Sequence, residues 1–220
     1  EIKWTQTFGS SEDDDAWAIT SGLDGSIYIA GETRGDLDGQ TNSGSDNNDA
    51  FITKLSADGE KLWTKLLGSS FEDAAETIKT GSDGSIYIAG ETKGNLDGQT
   101  NVGKKDAFLS KFSTDGEKQW TRLIGSSEDD HPNPSGILIG LNGFIYIIGS
   151  TEGDIDGEIN INNDDSFDWK EDAFISKFSA DGEKQWTRLI GSIEDDDAWA
   201  ITAGLDGSIY IAGETRGDLD

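Results

Sequence analysis

The stretch Asp24-Gly25-Ser26-Ile27-Tyr28-Ile29-Ala30-Gly31-Glu32-Thr33 decides how this 220-residue chain folds. Ile27-Tyr28-Ile29-Ala30 is apolar at every step and rich in β-branched and aromatic residues, which reads as a strand. A sheet covered on one side alternates apolar with polar positions, so a strand apolar on both faces is buried on both. Asp24-Gly25 ahead of it is a strong hairpin signal, because both central residues of such a turn need positive φ. The stretch returns at 83–92 and 206–215, and in the variant Asn142-Gly143-Phe144-Ile145-Tyr146-Ile147-Ile148-Gly149-Ser150-Thr151.

Outward from it, the whole chain repeats. Trp4, Trp63, Trp120 and Trp186 stand 59, 57 and 66 residues apart, and Tyr28, Tyr87, Tyr146 and Tyr210 follow at 59, 59 and 64. Residues 1–38 and 183–220 align without a gap and are identical at 31 of 38 positions, as a young tandem duplication would leave them. The units run over about 10–67, 68–124, 125–190 and a partial 191–220, with 1–9 as an outer strand, all in one domain spanning 1–220. Each unit reads as four short strands, in the first unit 16–20, 26–30, 50–55 and 61–67, and no stretch sustains a helical apolar period.

Small sheets buried on both faces stack around an axis, so the expected fold is all-β, a β-propeller of four-stranded antiparallel blades. A β-solenoid or a string of sandwiches is the alternative. The 16–20 strand would lie innermost and the Trp-bearing strand outermost. The chain then holds about 3.5–4 blades, whereas propellers have about four to eight. It is expected to be part of a larger ring or of an oligomeric ring, because an arc exposes two apolar blade faces.

Composition narrows the function. Seventeen Lys and Arg against 44 Asp and Glu leave a net charge of −27, which speaks against nucleic acid and anionic membranes as partners. Without Cys there is no disulfide framework and no cysteine nucleophile, and a single histidine, His131, cannot build a His-based metal site. No apolar run is long enough to span a bilayer. The chain begins at Glu1 rather than Met and is expected to be a processed product or a piece of something longer.

Four motifs recur in order: Trp-Thr-x-x-x-Gly-Ser, Asp-Ala-x-x-Ile, Asp-Gly-Ser-Ile-Tyr-Ile-Ala-Gly-Glu-Thr and Asp-Ala-Phe-x-x-Lys. Together they resemble the bacterial SBBP repeat, over essentially the whole chain. The resemblance implies seven-bladed propellers in secreted and surface proteins, and hence an extracellular or cell-surface location.

The acid is concentrated in two kinds of loop on one side of the blades. The loop between second and third strands carries Asp36, Asp38, Gln40, Asn42 and Asp49 in the first unit. Its copies are Asn95, Asp97, Gln99, Asn101 and Asp106, then Asp154, Asp156, Glu158, Asn160 and Asp172. Alternate oxygen-bearing side chains around a glycine suit Ca²⁺, which takes about six to eight oxygens. Asx-turns, in which Asp and Asn bond their own backbone, explain the same residues without a metal. The inter-blade loops carry Glu12-Asp13-Asp14-Asp15, Glu72-Asp73, Glu128-Asp129-Asp130 and Glu194-Asp195-Asp196-Asp197. The last Asp of each run is expected to bond backbone amides, and a cation-holding ring at the channel mouth is the alternative.

Equal chemistry in every unit argues against catalysis, which needs one asymmetric pair of acids. The expectation is a non-enzymatic repeat protein with Ca²⁺-binding loops and a structural or adhesive role, associating with itself or with flanking blades. The alternative is a lectin-like module binding surface glycans or proteins through the acidic face and Trp169.

Overall fold

The structure, a computed structural model, describes residues 2–44, 46–160 and 171–219. Its elements are β-strands throughout, with no helix among the described residues. The first sheet joins β1 (Asp14–Ser21), β2 (Ile27–Thr33), β3 (Asp49–Leu55) and β4 (Lys61–Leu67) in sequence order. The second joins β5 (Asp73–Thr80), β6 (Ile86–Thr92), β7 (Asp106–Phe112) and β8 (Lys118–Ile124). The third joins β9 (Asp130–Ile139), β10 (Ile145–Thr151), β11 (Asp172–Phe178) and β12 (Lys184–Ile190). A last pair, β13 (Asp196–Ala203) and β14 (Ile209–Thr215), forms half a sheet. Every pairing is antiparallel.

β1, β5, β9 and β13 pack one against the next along the inner edge of an arc, while the fourth strands splay apart. The molecule is therefore an open β-propeller arc of three complete blades and half of a fourth. Its core lies between blades rather than within any one of them. Tyr28, Ile52 and Leu67 of the first blade pack with Ile78, Ile88, Phe108 and Phe112 of the second, and the other two junctions repeat the arrangement.

Two devices in the repeat make this stacking possible. β1, β5 and β13 each carry a bulge opposite the glycine of the Gly-Glu-Thr motif, seen in the second blade between Ala75 and Thr77, and β9 breaks register opposite Gly149. The bulge presses the Ala74 carbonyl oxygen to 1.8 Å from where a Cβ on Gly90 would sit, so only glycine fits there. At the outer rim, three tryptophans lie on the turn glycine of the next unit: Trp4 on Gly59, Trp63 on Gly116, Trp120 on Gly182. Trp4 also donates from Nε1 to the Ala57 carbonyl, as Trp120 does to that of Ala180. Residues 2–9 form no strand, contrary to the expectation for 1–9, since no described strand pairs with them. Trp4 still fills the seat of an outer-strand tryptophan.

Candidate functional site

Antiparallel order puts the β2–β3 loops and the inter-blade links at one end of the arc and the Asp-Gly hairpins at the other. In the first loop, Leu37 and Gln40 exchange backbone hydrogen bonds at 3.0 and 2.9 Å around a two-residue turn. Asp38 and Gly39 occupy it at φ values of 51° and 78°. Leu37 is buried as a plug, and the same turn recurs at Leu96 to Gln99 and Ile155 to Glu158. Asp38 swings sideways onto Lys61 and Thr64 of β4. Asp97 pairs with Lys118, and Asp156 with Lys184 at 2.6 Å and with Thr187. Glu158 binds Arg188 at 2.8 Å.

The other loop residues close the turn on itself. Asp36 accepts from the Asn42 amide at 2.9 Å, Asn95 from Asn101 at 3.0 Å, and Asp154 from Asn160 at 2.9 Å. Asn42, Asn101 and Asn160 each donate from Nδ2 to the carbonyl of the threonine ending the second strand, Thr33, Thr92 and Thr151. Gln40 and Gln99 take part through their backbone. All three turn aspartates are thus paired with a lysine of the fourth strand, and Asp38 and Asp156 accept from a threonine as well.

Asp49 and Asp106 are placed differently. Both are buried at the start of a third strand, accept one amide hydrogen bond through Oδ2, from Ser43 at 2.8 Å and Val102 at 3.0 Å, and keep Oδ1 buried without a hydrogen-bond partner. Asp172 holds the equivalent place in the third blade. Across each junction a second buried aspartate starts the next blade. Asp73, Asp130 and Asp196 accept from the amides of Ser69, Ser126 and Ser192, at 2.6, 2.6 and 2.5 Å. In the first and last acidic runs the residue that does so is Asp14 and Asp196, not the final Asp. Burial drives the carboxyls of Asp73 and Asp130 from the ordinary 3.8 up to about 6, against the pull of Thr92, Thr151 and the serine amides. The neighbouring Asp49 and Asp106 charges push the same way.

The inner edge holds a cluster that breaks the repeat. At the bulge of the first strand, where β1 and β13 carry Trp17 and Trp199, β5 carries Glu76. Burial raises the Glu76 carboxyl from 4.5 to about 7, repulsion from Glu91 adds to this, and His131 and Lys105 oppose it. Glu91 on β6 is bound by Lys105 Nζ at 2.9 Å and His131 Nδ1 at 3.2 Å. Those bonds outweigh the effect of burial and hold Glu91 below the usual carboxylate range. His131 is raised by its bond to Glu91 in spite of burial. Two acids in one cluster are thus shifted in opposite directions. Among the described residues, no group of three or more His, Asp or Glu is placed to hold a metal.

Sequence reasoning did not single out Glu76, Glu91 or Lys105. The signal available was that Glu76 stands in a tryptophan column and Lys105 in the column of Asn48 and Glu171. Nor was a role assigned to the lysine ending Asp-Ala-Phe-x-x-Lys. Lys54 lies over the Tyr28 ring, 5.2 Å from its centroid, and bonds Asp24 and the Thr114 carbonyl of the next blade, each at 3.2 Å. Trp169, with Asp164, Asp165, Phe167 and Asp168, lies outside the described residues.

Residues 119–156 match the family model SBBP, described as a β-propeller repeat. A regulatory protein of Caulobacter vibrioides, FlaEY, is 30% identical over 174 residues, which are 74% of this chain and 18% of that protein. The chain thus spans less than a fifth of that relative. A protein of unknown function from Bacteroides caccae superposes with a TM-score of 0.43 at 8% identity, over 90% of this chain and 53% of that one.

Proposed function

We propose that this chain, a member of the SBBP-type β-propeller repeat family, is a non-catalytic ring component with a structural or adhesive role at the cell exterior. The observation that carries the reading is recurrence: turn aspartates paired with lysines, junction aspartates and rim tryptophans return in every complete blade. Chemistry repeated equally in every blade suits a scaffold that presents an extended surface. Ca²⁺ is the ion we assign to the acidic end. The arc is completed by further units of its own kind. Tyr210 on β14 is 56% exposed, whereas Tyr28, Tyr87 and Tyr146 in the same column are buried at 1, 2 and 5% by the strands and blades that follow them.

Protease shaving of intact source cells, followed by an attachment assay with cells carrying or lacking the chain, tests this. Release of the chain by external protease, and weaker attachment without it, are expected. A chain protected inside the cell, or unchanged attachment, would contradict the role. A second reading has one observation in its favour. Glycosidases use two acids with divergent pKa values, and Glu76 and Glu91 diverge. Glu91, however, is committed to Lys105 and His131. Turnover of any glycoside that Glu76→Gln abolishes would establish the enzyme instead.

A further inference from the structure

We propose that Ca²⁺ binds between blades, one ion at the Asp49–Asp73 junction and one at the Asp106–Asp130 junction, rather than in the β2–β3 turns. This deepens the reading above and rests on the acidic end taking Ca²⁺.

Each junction is built around a Gly-Ser step of the inter-blade link. The Asp49 carboxylate lies flat against Gly68, where a Cβ would fall 2.1 Å from Oδ1, and Asp106 lies against Gly125 with the matching distance 2.3 Å. On the other side of the step, the amide of Ser69 or Ser126 binds Oδ2 of Asp73 or Asp130. The backbone amides of Asp73 and Asp130 donate back to the carbonyls of Asn48 and Lys105, both at 2.8 Å, which ties the two aspartates of each pair into one unit.

All four residues are buried to within 1% of full, and all four keep Oδ1 inaccessible and without a hydrogen-bond partner. A buried carboxylate oxygen left unpaired is strongly unfavourable, and two per junction more so. Elsewhere in the blade such charges meet lysine, as Asp38 meets Lys61. Among the described residues, no ion pair of Lys or Arg reaches these four aspartates. The missing positive charge is two per junction, which one divalent cation supplies.

Chemistry selects among cations. The donors are hard carboxylate oxygens closed off from solvent. Mg²⁺ holds its waters, while Ca²⁺ accepts irregular oxygen sets with carbonyls and hydroxyls alongside carboxylates. Thr92 and Thr151 stand beside Asp73 and Asp130, with their hydroxyls donating to the Gly94 and Gly153 carbonyls. The rival occupant is a proton shared by the two carboxylates, which would also relieve their repulsion.

Equilibrium dialysis with radiolabelled Ca²⁺ and thermal melts on EDTA-treated protein decide between them. The wild type should take up Ca²⁺ and gain several degrees of Tm, with little response to Mg²⁺. The double variant Asp49→Asn/Asp106→Asn should lose both effects, while Asp38→Asn/Asp97→Asn should keep them. If the first pair fails to fold, Asp130→Asn alone should lower the bound Ca²⁺ by one equivalent. Uptake unchanged in the junction variants would overturn the site but leave Ca²⁺ at the acidic end. No uptake by the wild type would overturn both. Junction variants that melt above the wild type with or without Ca²⁺ would assign the shared proton.

Discussion

At the scale of single residues, the most informative side chain is one the repeat did not copy. Glu76 replaces a tryptophan at the inner-edge bulge, and burial beside Glu91 raises it to about 7. The folded chain then keeps a proton that the unfolded chain has released above 4.5. Folding stability should therefore fall as pH rises from about 4.5 to 7, by about 1–3 kcal/mol from this group. His131 acts in the same direction. Its raised pKa gives stability that is full below 6.5 and lost as pH rises through the folded value. Urea melts of Glu76→Gln should match the wild type near pH 4 and exceed it by about 1–3 kcal/mol at pH 8. A variant no more stable than the wild type at pH 8 would contradict the placement. The acidic turns illustrate what a sequence can hide. Alternating Asp36, Asp38 and Asn42 satisfy a coordination pattern and a turn pattern equally. Only the fold shows that Asp38, at positive φ, leaves the loop for Lys61.

At the scale of elements, the strands and their hairpins were legible because their cues are local: Asp-Gly turns, runs of Ile and Tyr, and a fixed period. Contacts between units were not, since they depend on how one blade's first strand registers against its neighbour. Lys105 reads as a loop residue and Glu91 as a strand residue, and nothing in their spacing brings them to 2.9 Å. The bulge was likewise invisible, although the glycine opposite it is present in all four units. Gly90→Ala should force its Cβ onto the Ala74 carbonyl and the Ala75 Cα, backbone atoms that cannot step aside as a side chain would. We expect a loss of about 3 kcal/mol in denaturant unfolding, at the upper end for overpacking. A loss below about 1 kcal/mol would mean the bulge relaxes freely. Gly116→Ala meets the Trp63 ring at 3.0 Å and a φ of 78°, and should cost about 1–2 kcal/mol through the rim contact.

At the scale of the molecule, every complete blade buries an apolar face against the next one. Among the described residues β13 and β14 pair only with each other, and no turn glycine lies on the Trp186 ring. At the other end, Trp4 occupies a rim seat as if it belonged to a preceding blade. Ile19 on β1 and Leu205 beyond β13 are also largely exposed. The ring proposed above would place another unit of this repeat at each end. Sedimentation equilibrium of the purified 23.6-kDa chain measures this directly. The account predicts a closed assembly at an integral multiple of that mass, with Tyr210 protected from modification. A single stable species of one chain's mass, soluble at high concentration with Tyr210 accessible, would contradict it.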